Sequence, residues 1–381
     1  MNHTVALFDA SNIDSLPWPS NEDGEYAKRF LLPLIKNGAQ HYIDNVETTM
    51  MALLIADLVL PLTINEAQYQ NSYVCSPYGH YIGYARESIV HITGRFLEKP
   101  LQALIWALGK VLQRGQINKV IIVNNWLFST NLYPKISHEQ VAIITEELKR
   151  KFPEHAIVFR SVHTYDGKDL YEILKDNQFH LIASRQVYFI NTFKEATFQS
   201  RMYKSDLKAL RESEHEIVSH TDIVLKDIDR IAMLYRAVYL DRHSSLNPQL
   251  NANFIKLAIE NQILQLHGLR KNGQLDAVSG YFCRKGVMMA PLLGYDTSQS
   301  KDNKLYRISS VILTREAKEK KMLYHLSSGA GFYKKLRRAE GNIEYMAVNH
   351  GHLPVDRRLP WFALKWMMNS LGVVLMKRYD K

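Results

Sequence analysis

Between Tyr324 and Gly341 the chain reads YHLSSGAGFYKKLRRAEG, and this text allows few local structures. Leu323 to Leu326 is a short strand-like run. Ser327, Ser328, Gly329 and Gly331 make a flexible turn, and Phe332 to Arg338 follows as a helix start bearing Lys334, Lys335, Arg337 and Arg338. A strand that turns at once into a helix is the unit from which α/β domains are assembled. The junction also suits an anion, because helix N-terminal N–H groups, close-approach glycines and cations act together. An ordinary connection with solvated basic residues is the plainer reading of the same text.

The remaining pattern agrees in class. From Met50 the order is an apolar strand, the turn-rich stretch NSYVCSPYGHYIGYARES, a long helix at Phe96–Arg114 and a strand at Lys119–Leu127. Ser137–Lys151 has helical spacing, with Val141, Ile144 and Leu148 on one face. His155–Ser161 reads as a strand, Lys168–Asp176 as a helix, and Phe179–Ile190 as a strand pair. After Asn191 comes a basic amphipathic helix, QSRMYKSDLKALRESE, then a strand at Glu216–His220 and a helix at Val224–Leu240. Strands at Ile263–Arg270 and Ala277–Arg284 flank KNGQ, a strong hairpin signal. Val287–Tyr295 is a third strand. A helix at Leu305–Lys320, a strand at Met322–Ser327, a helix at Gly331–Glu340 and a strand at Ile343–Val348 complete the pattern. A boundary near Thr192 separates domains at 1–192 and 193–381.

The 381 residues suffice for two domains with cores of their own. A net charge of +10 points to an acidic partner: nucleic acid, an acidic carrier protein or a phosphorylated cofactor. Two distant cysteines, Cys75 and Cys283, exclude a disulfide framework and fit a reducing cytoplasm. Met1–Pro17 lacks the apolar stretch of a secretory signal. The Met50–Leu62 run contains Asp57 and is too short to span a bilayer. Leu359–Arg378 mixes Trp361, Phe362, Trp366, Met367 and Met368 with cations and suits either a membrane surface or the protein's own core. Packing on the protein is expected, without stable membrane insertion, because exposed apolar faces are uncommon.

Several second-half motifs occur in a telling order: SRMYKSDLKALRESE, LYRAVYLDR, GLRKNGQLDAVSGYF, APLLGYD, LYRISSVILTREA and HLSSGAGFYKKLRRAEG. In this order the segment Phe193–Val348 resembles the GNAT-like acyltransferases of the FemAB and BioF2-type group, whose domains commonly occur as a degenerate tandem pair. The resemblance implies tandem GNAT-like α/β (α+β) domains, each a mixed, mainly antiparallel sheet flanked by helices, with the first half the divergent copy. It also implies transfer of an acyl or aminoacyl group to an amine. One departure stands out: relatives that use coenzyme A carry a glycine-containing phosphate loop, whereas Thr297–Lys304 reads TSQSKDNK. Lys304, Arg307, Ser309 and Ser310 at the helix start are the remaining candidates for a donor's phosphates, with Lys334 and Arg338 after the glycine turn.

Acyl transfer to an amine needs a neutral amine, an oriented ester or thioester and a group aimed at the developing oxyanion. Tyr295 and Asp296 end the APLLGYD strand where such a fold opens, so Asp296 is a candidate to take the acceptor's proton; a turn cap is its plain alternative. His325 is a candidate general base, or a structural histidine. Tyr78, His80, Tyr81 and Tyr84 suit a substrate pocket wall or a tyrosine-rich interface. Lys204 suits an acidic acceptor or carrier, or solvent. His350 and His352 near Asp356 form a close pair without an indicated third ligand, so no metal is expected. The expectation is a cytoplasmic biosynthetic N-acyltransferase taking its group from acyl-coenzyme A or an acyl carrier protein and passing it to an amino acid or small amine. An aminoacyl-tRNA-dependent transferase and a non-catalytic basic nucleic-acid-binding module are the alternatives.

Overall fold

The structure, a computed structural model, describes residues 4–87 and 95–379. The chain forms two compact units. One holds the chain up to Arg185 together with Leu246–Pro248 and Ile343–Tyr379, and the other holds Gln186–Ser245 and Gln249–Asn342. The division expected near Thr192 thus falls inside the second unit, and the final helices, expected with the second half, belong to the first. No turn residue interrupts HLIASRQVYFI, which runs as a single strand through the crossing point rather than as the expected pair.

The first unit is built on β1 (Val5–Phe8), β2 (Thr49–Ile55), β3 (Leu58–Asn65), β4 (Val120–Val123), β5 (Ala156–His163), the start of β6 (His180–Ile190), and β12 (Glu340–Asn349) from Ile343 onward. β1 to β4 pair antiparallel in sequence order, β4 and β5 are parallel, and β5 pairs antiparallel with β12. The apolar stretch from Met50, expected to begin with a strand, is a hairpin of two strands. Ala56 takes a φ of 51°, and Ile55 pairs with Leu58 across the Ala56–Asp57 turn. The unit's helices are α1 (Glu22–Asn37), α2 (Arg95–Arg114), α3 (His138–Lys151) and α4 (Lys168–Asp176), with α11 (Val355–Met367) and α12 (Val373–Tyr379). A capping box starts α3: Ser137 Oγ accepts from the Gln140 N–H, and Gln140 Oε1 accepts from the Ser137 N–H. Val141, Ile144 and Leu148 then seal one face of the sheet against Ile121, Val123 and Phe159. The alternate residues Val120, Ile122 and Val158 meet Leu112, Trp361 and Leu364 on the other face. A strand sealed on both sides must be apolar throughout, which is why β4 reads VIIV.

The second unit repeats this plan. Its helices are α5 (Glu195–Gln199), α6 (Arg201–Arg211), α7 (Ile228–Tyr239), α8 (Ala252–Glu260), α9 (Leu305–Glu319) and α10 (Gly331–Leu336). Its strands are β7 (Glu216–Val218), β8 (Gln265–Lys271), β9 (Gln274–Arg284), β10 (Val287–Tyr295) and β11 (Leu323–His325), with the end of β6. β7 to β10 pair antiparallel, β10 and β11 are parallel, and β11 pairs antiparallel with β6. The KNGQ hairpin forms as expected, with Asn272 and Gly273 both left-handed and Lys271 opposite Gln274. Each unit therefore has an antiparallel ladder whose last strand, β4 or β10, feeds a crossover helix and a parallel neighbour. The helix expected to reach Glu340 stops at Leu336, because Arg338 turns left-handed and β12 begins two residues later.

Gly294 fixes how α7 crosses β10. A Cβ there would lie 2.5 Å from the Leu234 carbonyl carbon and 2.6 Å from the Tyr235 nitrogen, both backbone atoms. Gly294→Ala should destabilise the protein by about 1–3 kcal/mol. A wild-type urea midpoint for this variant would show that α7 can move aside.

Candidate anion-binding site

The basic helix of the second half places an acid on its own apolar stripe. In α6, Tyr203, Asp206 and Ala209 are buried at three-residue spacing, and Ser200 caps the helix by accepting from the Tyr203 N–H. Asp206 is 1% exposed. Its Oδ1 accepts from Arg307 Nε of α9 at 2.6 Å, and its Oδ2 accepts from Arg337 Nε, just beyond α10, at 2.7 Å. Arg307 also donates to Ser205 Oγ at 2.7 Å, and Arg337 to the Tyr333 carbonyl at 3.0 Å. One carboxylate thus ties three segments together while leaving the trio with a net positive charge.

Arg307 of this trio, with Ser205 beside Asp206, also lines a cleft of about 590 Å³. Arg201, Arg307, Lys335 and Arg338 supply its charge, Ser200 and Ser205 its hydroxyls, and Met202 and Leu336 an apolar patch. No carboxylate lines it among the described residues. Four cations facing one open space attract an anion, and arginines meet phosphate or carboxylate with two parallel donors.

Of the six residues expected to bind donor, Arg307 and Arg338 line this cleft. Lys334, the centre of the expected anion site, turns inward: its ammonium donates to the carbonyls of Leu326, Ser327 and Ser328 at 2.8, 3.3 and 2.8 Å and lies 5.4 Å from the Tyr188 ring. The turn presents carbonyls to it, so Lys334 fastens the loop rather than a ligand. Ser309 is buried in α9, the Ser310 carbonyl accepts from the Thr314 hydroxyl, and Lys304 caps α9 in the left-handed region with its side chain exposed.

Asp296 is placed as a turn cap. It accepts from the N–H and hydroxyl of Ser298 at 2.9 and 2.6 Å and from Arg230 Nη2 at 2.7 Å. Burial opposes its charge, but these bonds from Ser298 and Arg230 outweigh burial and hold the carboxyl down at about 2. Such a carboxylate is a poor base at neutral pH. The Tyr295 hydroxyl accepts from Arg242 Nη1 at 3.1 Å. His325 is buried against Phe189, and its Nδ1 accepts from the Ser327 N–H at 2.9 Å. Lys204 is exposed on α6.

The first-half candidates belong to the first unit. The Tyr84 hydroxyl donates to Asn247 Oδ1 at 2.6 Å, Tyr81 reaches the Ile182 carbonyl at 3.4 Å, and Tyr78 packs edge-on against Tyr69. His80 is held well below its ordinary pKa by burial and then by Arg185 and Arg160. These groups form a packed wall in which the Tyr81 and Tyr84 hydroxyls are bonded; Ser88, the last residue of their stretch, lies outside the described residues. His350 contacts His180 at 3.3 Å, whereas His352 is bonded to the His155 carbonyl, so the pair does not converge. Among the described residues no cluster of three histidine, cysteine or acidic side chains is disposed to hold a metal.

No family model and no curated protein matches the chain. Solved structures do. A conserved protein of unknown function from Bacteroides thetaiotaomicron is similar over 91% of this chain and 100% of its own, at 11% identity and a TM-score of 0.50. The C-terminal DUF2156 domain assigned to a lysylphosphatidylglycerol synthetase from Agrobacterium fabrum covers 76% of this chain and 96% of its own, at 11% identity and a TM-score of 0.48. FemX covers 60% of this chain and 80% of its own, at 9% identity and a TM-score of 0.46. At these identities the likeness concerns the fold alone.

Asp206→Ala should cost about 3–5 kcal/mol of stability, because it strands two guanidinium groups. Asp296→Asn should cost less, about 1–3 kcal/mol at neutral pH. The folded carboxyl at about 2 lies below its ordinary 3.8, so its contribution is complete above the ordinary value and fades as pH falls through about 2. Denaturant unfolding at neutral and strongly acid pH checks both, and an unchanged neutral midpoint for Asp296→Asn contradicts the capping role.

Proposed function

We infer that the protein is a transferase that passes an acyl group from a phosphate-bearing donor to an amine, with the donor's phosphates held in the basic cleft. The observation that carries this reading is the convergence of Arg201, Arg307, Lys335 and Arg338 beside the first turn of α9, the helix that follows the APLLGYD strand. The GNAT-like resemblance supports a donor site at this junction. In the reaction a C–N bond forms between the amine and the donor carbonyl, the donor's C–S or C–O bond breaks, and the amine's proton leaves with the departing thiol or alcohol. This chain's residues fit the charge of such a donor, because arginines reach phosphate without backbone help. They do not offer a glycine cradle, since Lys304 carries its side chain at the left-handed position before α9. Coenzyme A thioesters and acyl carrier proteins are the donors of first choice, with an amino acid or small amine as acceptor.

A second reading rests on one further feature. Phe332 and Tyr333 are 61% and 57% exposed on α10, next to Lys335 and Arg338. Exposed aromatics beside a basic groove are how single-stranded nucleic acid is held, by stacking and charge together. This favours the aminoacyl end of a charged tRNA as donor.

The readings part in a binding experiment. Titration with coenzyme A, acyl carrier protein and aminoacyl-tRNA should show one donor bound, and Arg201→Ala and Arg338→Ala should each weaken it by about 1.5–3 kcal/mol without lowering the melting temperature. Loss of tRNA binding in Phe332→Ala alone would select the second reading. Identical titrations for wild type and both arginine variants would remove the cleft from the donor site.

A further inference from the structure

The C-terminal helices expose an apolar stripe that the fold keeps straight. Val355, Leu359, Phe362 and Trp366 recur at helical spacing along α11 and are 63, 59, 40 and 71% exposed. Leu371, Val374 and Leu375 continue outward at 51, 62 and 46%. The step from Trp366 to Leu371 is one residue too long for an α-helical turn. The chain absorbs it in a wide π-helical turn at Met368–Gly372. The expected packing of this segment on the protein is therefore limited to its underside, where Arg357, Pro360, Trp361 and Leu364 are buried.

That underside is firmly bound to the first unit. Arg357 Nε donates to the Gly115 carbonyl at 3.0 Å. Inside the wide turn, Asn369 accepts from the Ala183 N–H at 2.8 Å and donates to the Leu181 carbonyl at 2.9 Å. Val355–Arg378 is long and apolar enough by composition to cross a membrane, with 17% of its apolar window buried. A helix fixed along one side to a sheet cannot be surrounded by lipid, so lying on a surface is the geometry that remains.

The charge around the stripe chooses the surface. Between Val355 and Arg378, apart from the buried Arg357, the chain carries Arg358, Lys365, Lys377 and Arg378 against one acid, Asp356. Arg358 and Lys365 lie seven residues apart along one edge of the stripe, and Lys377 and Arg378 close its end. Helix α2, which packs against α11, adds exposed Trp106 at 58% with the Lys110 ammonium 5.8 Å from its ring. Tryptophans with lysines and arginines on a helix that lies flat match the headgroup region of an anionic bilayer.

We propose that α11 and α12 dock this protein on an anionic lipid surface, with Leu359, Phe362, Trp366, Leu371 and Val374 entering the headgroup layer. The site is independent of the donor cleft. Co-sedimentation of the full chain with phosphatidylcholine vesicles, and with vesicles in which a third of the lipid is phosphatidylglycerol, tests it. Binding should appear on the anionic vesicles, decline as salt is raised, and fall about tenfold or more in the Lys365→Glu/Lys377→Glu/Arg378→Glu variant. Trp366→Ser/Val374→Ser, which alters exposed positions only, should lose binding with an unchanged melting temperature. Equal binding to neutral vesicles, or full binding by either variant, overturns the proposal. So does a concentration-dependent dimer in light scattering that Trp366→Ser dissociates, since a second copy would then cover the stripe.

Discussion

The second unit depends on the carboxylate of Asp206. An acid at 1% exposure is tolerated only when its charge is met, and Asp206 is met twice, by Arg307 and Arg337. Those two bonds fix the first turn of α9 and the end of α10 against α6. One of the four cleft cations, Arg307, is thereby held before any ligand arrives. Arg307 reaches the cleft already oriented by Asp206 and Ser205, so a bound anion need not order that side chain. The buried acid bonded to Arg307 also offsets part of that cation's repulsion of its neighbours.

Lysines and arginines in this protein divide by what lies within reach of their tips. Lys334 and Arg338 are four residues apart in the same basic run, yet the first is 8% exposed and bonded to three carbonyls while the second faces the cleft. The difference comes from the turn before α10, where Ser327, Gly329 and Ala330 are left-handed and leave carbonyls pointing inward. In the first unit a similar demand is met by Arg185. Burial works against its charge, but Glu344, bonded at 2.7 Å, outweighs burial and holds the guanidinium above its ordinary pKa.

What could be read from the sequence was local. Asn272–Gly273 named its own hairpin because two adjacent left-handed residues need that chemistry. The Ala56–Asp57 turn carries no glycine and was therefore hidden inside an apolar run. The alternating run Phe179–Ile190 reads as a strand pair, yet His180–Ile190 is one strand; Arg185 in its middle is bonded to Glu344, a partner 159 residues away. The membership of Ile343–Tyr379 in the first unit is equally remote, since strand pairing between distant segments leaves no local mark. At the candidate site, Arg307 and Arg338 were legible as cations near a helix start. Asp206 was missed, although an acid in step with Tyr203 and Ala209 on an otherwise apolar face is itself a sign of a buried cation.

The wide turn at Met368–Gly372 shows why a rare backbone form persists. A continuous α-helix would carry Leu371 round by one residue and break the stripe begun at Val355, or else would turn Asn369 away from the backbone groups of Leu181 and Ala183. The π-helical turn satisfies both faces at once: Asn369 stays with β6, and Leu371 stays in line with Trp366. Either requirement alone could be met by changing a side chain. Meeting the two together at one end of one helix requires the extra residue, which ties the outward stripe to the inward anchor.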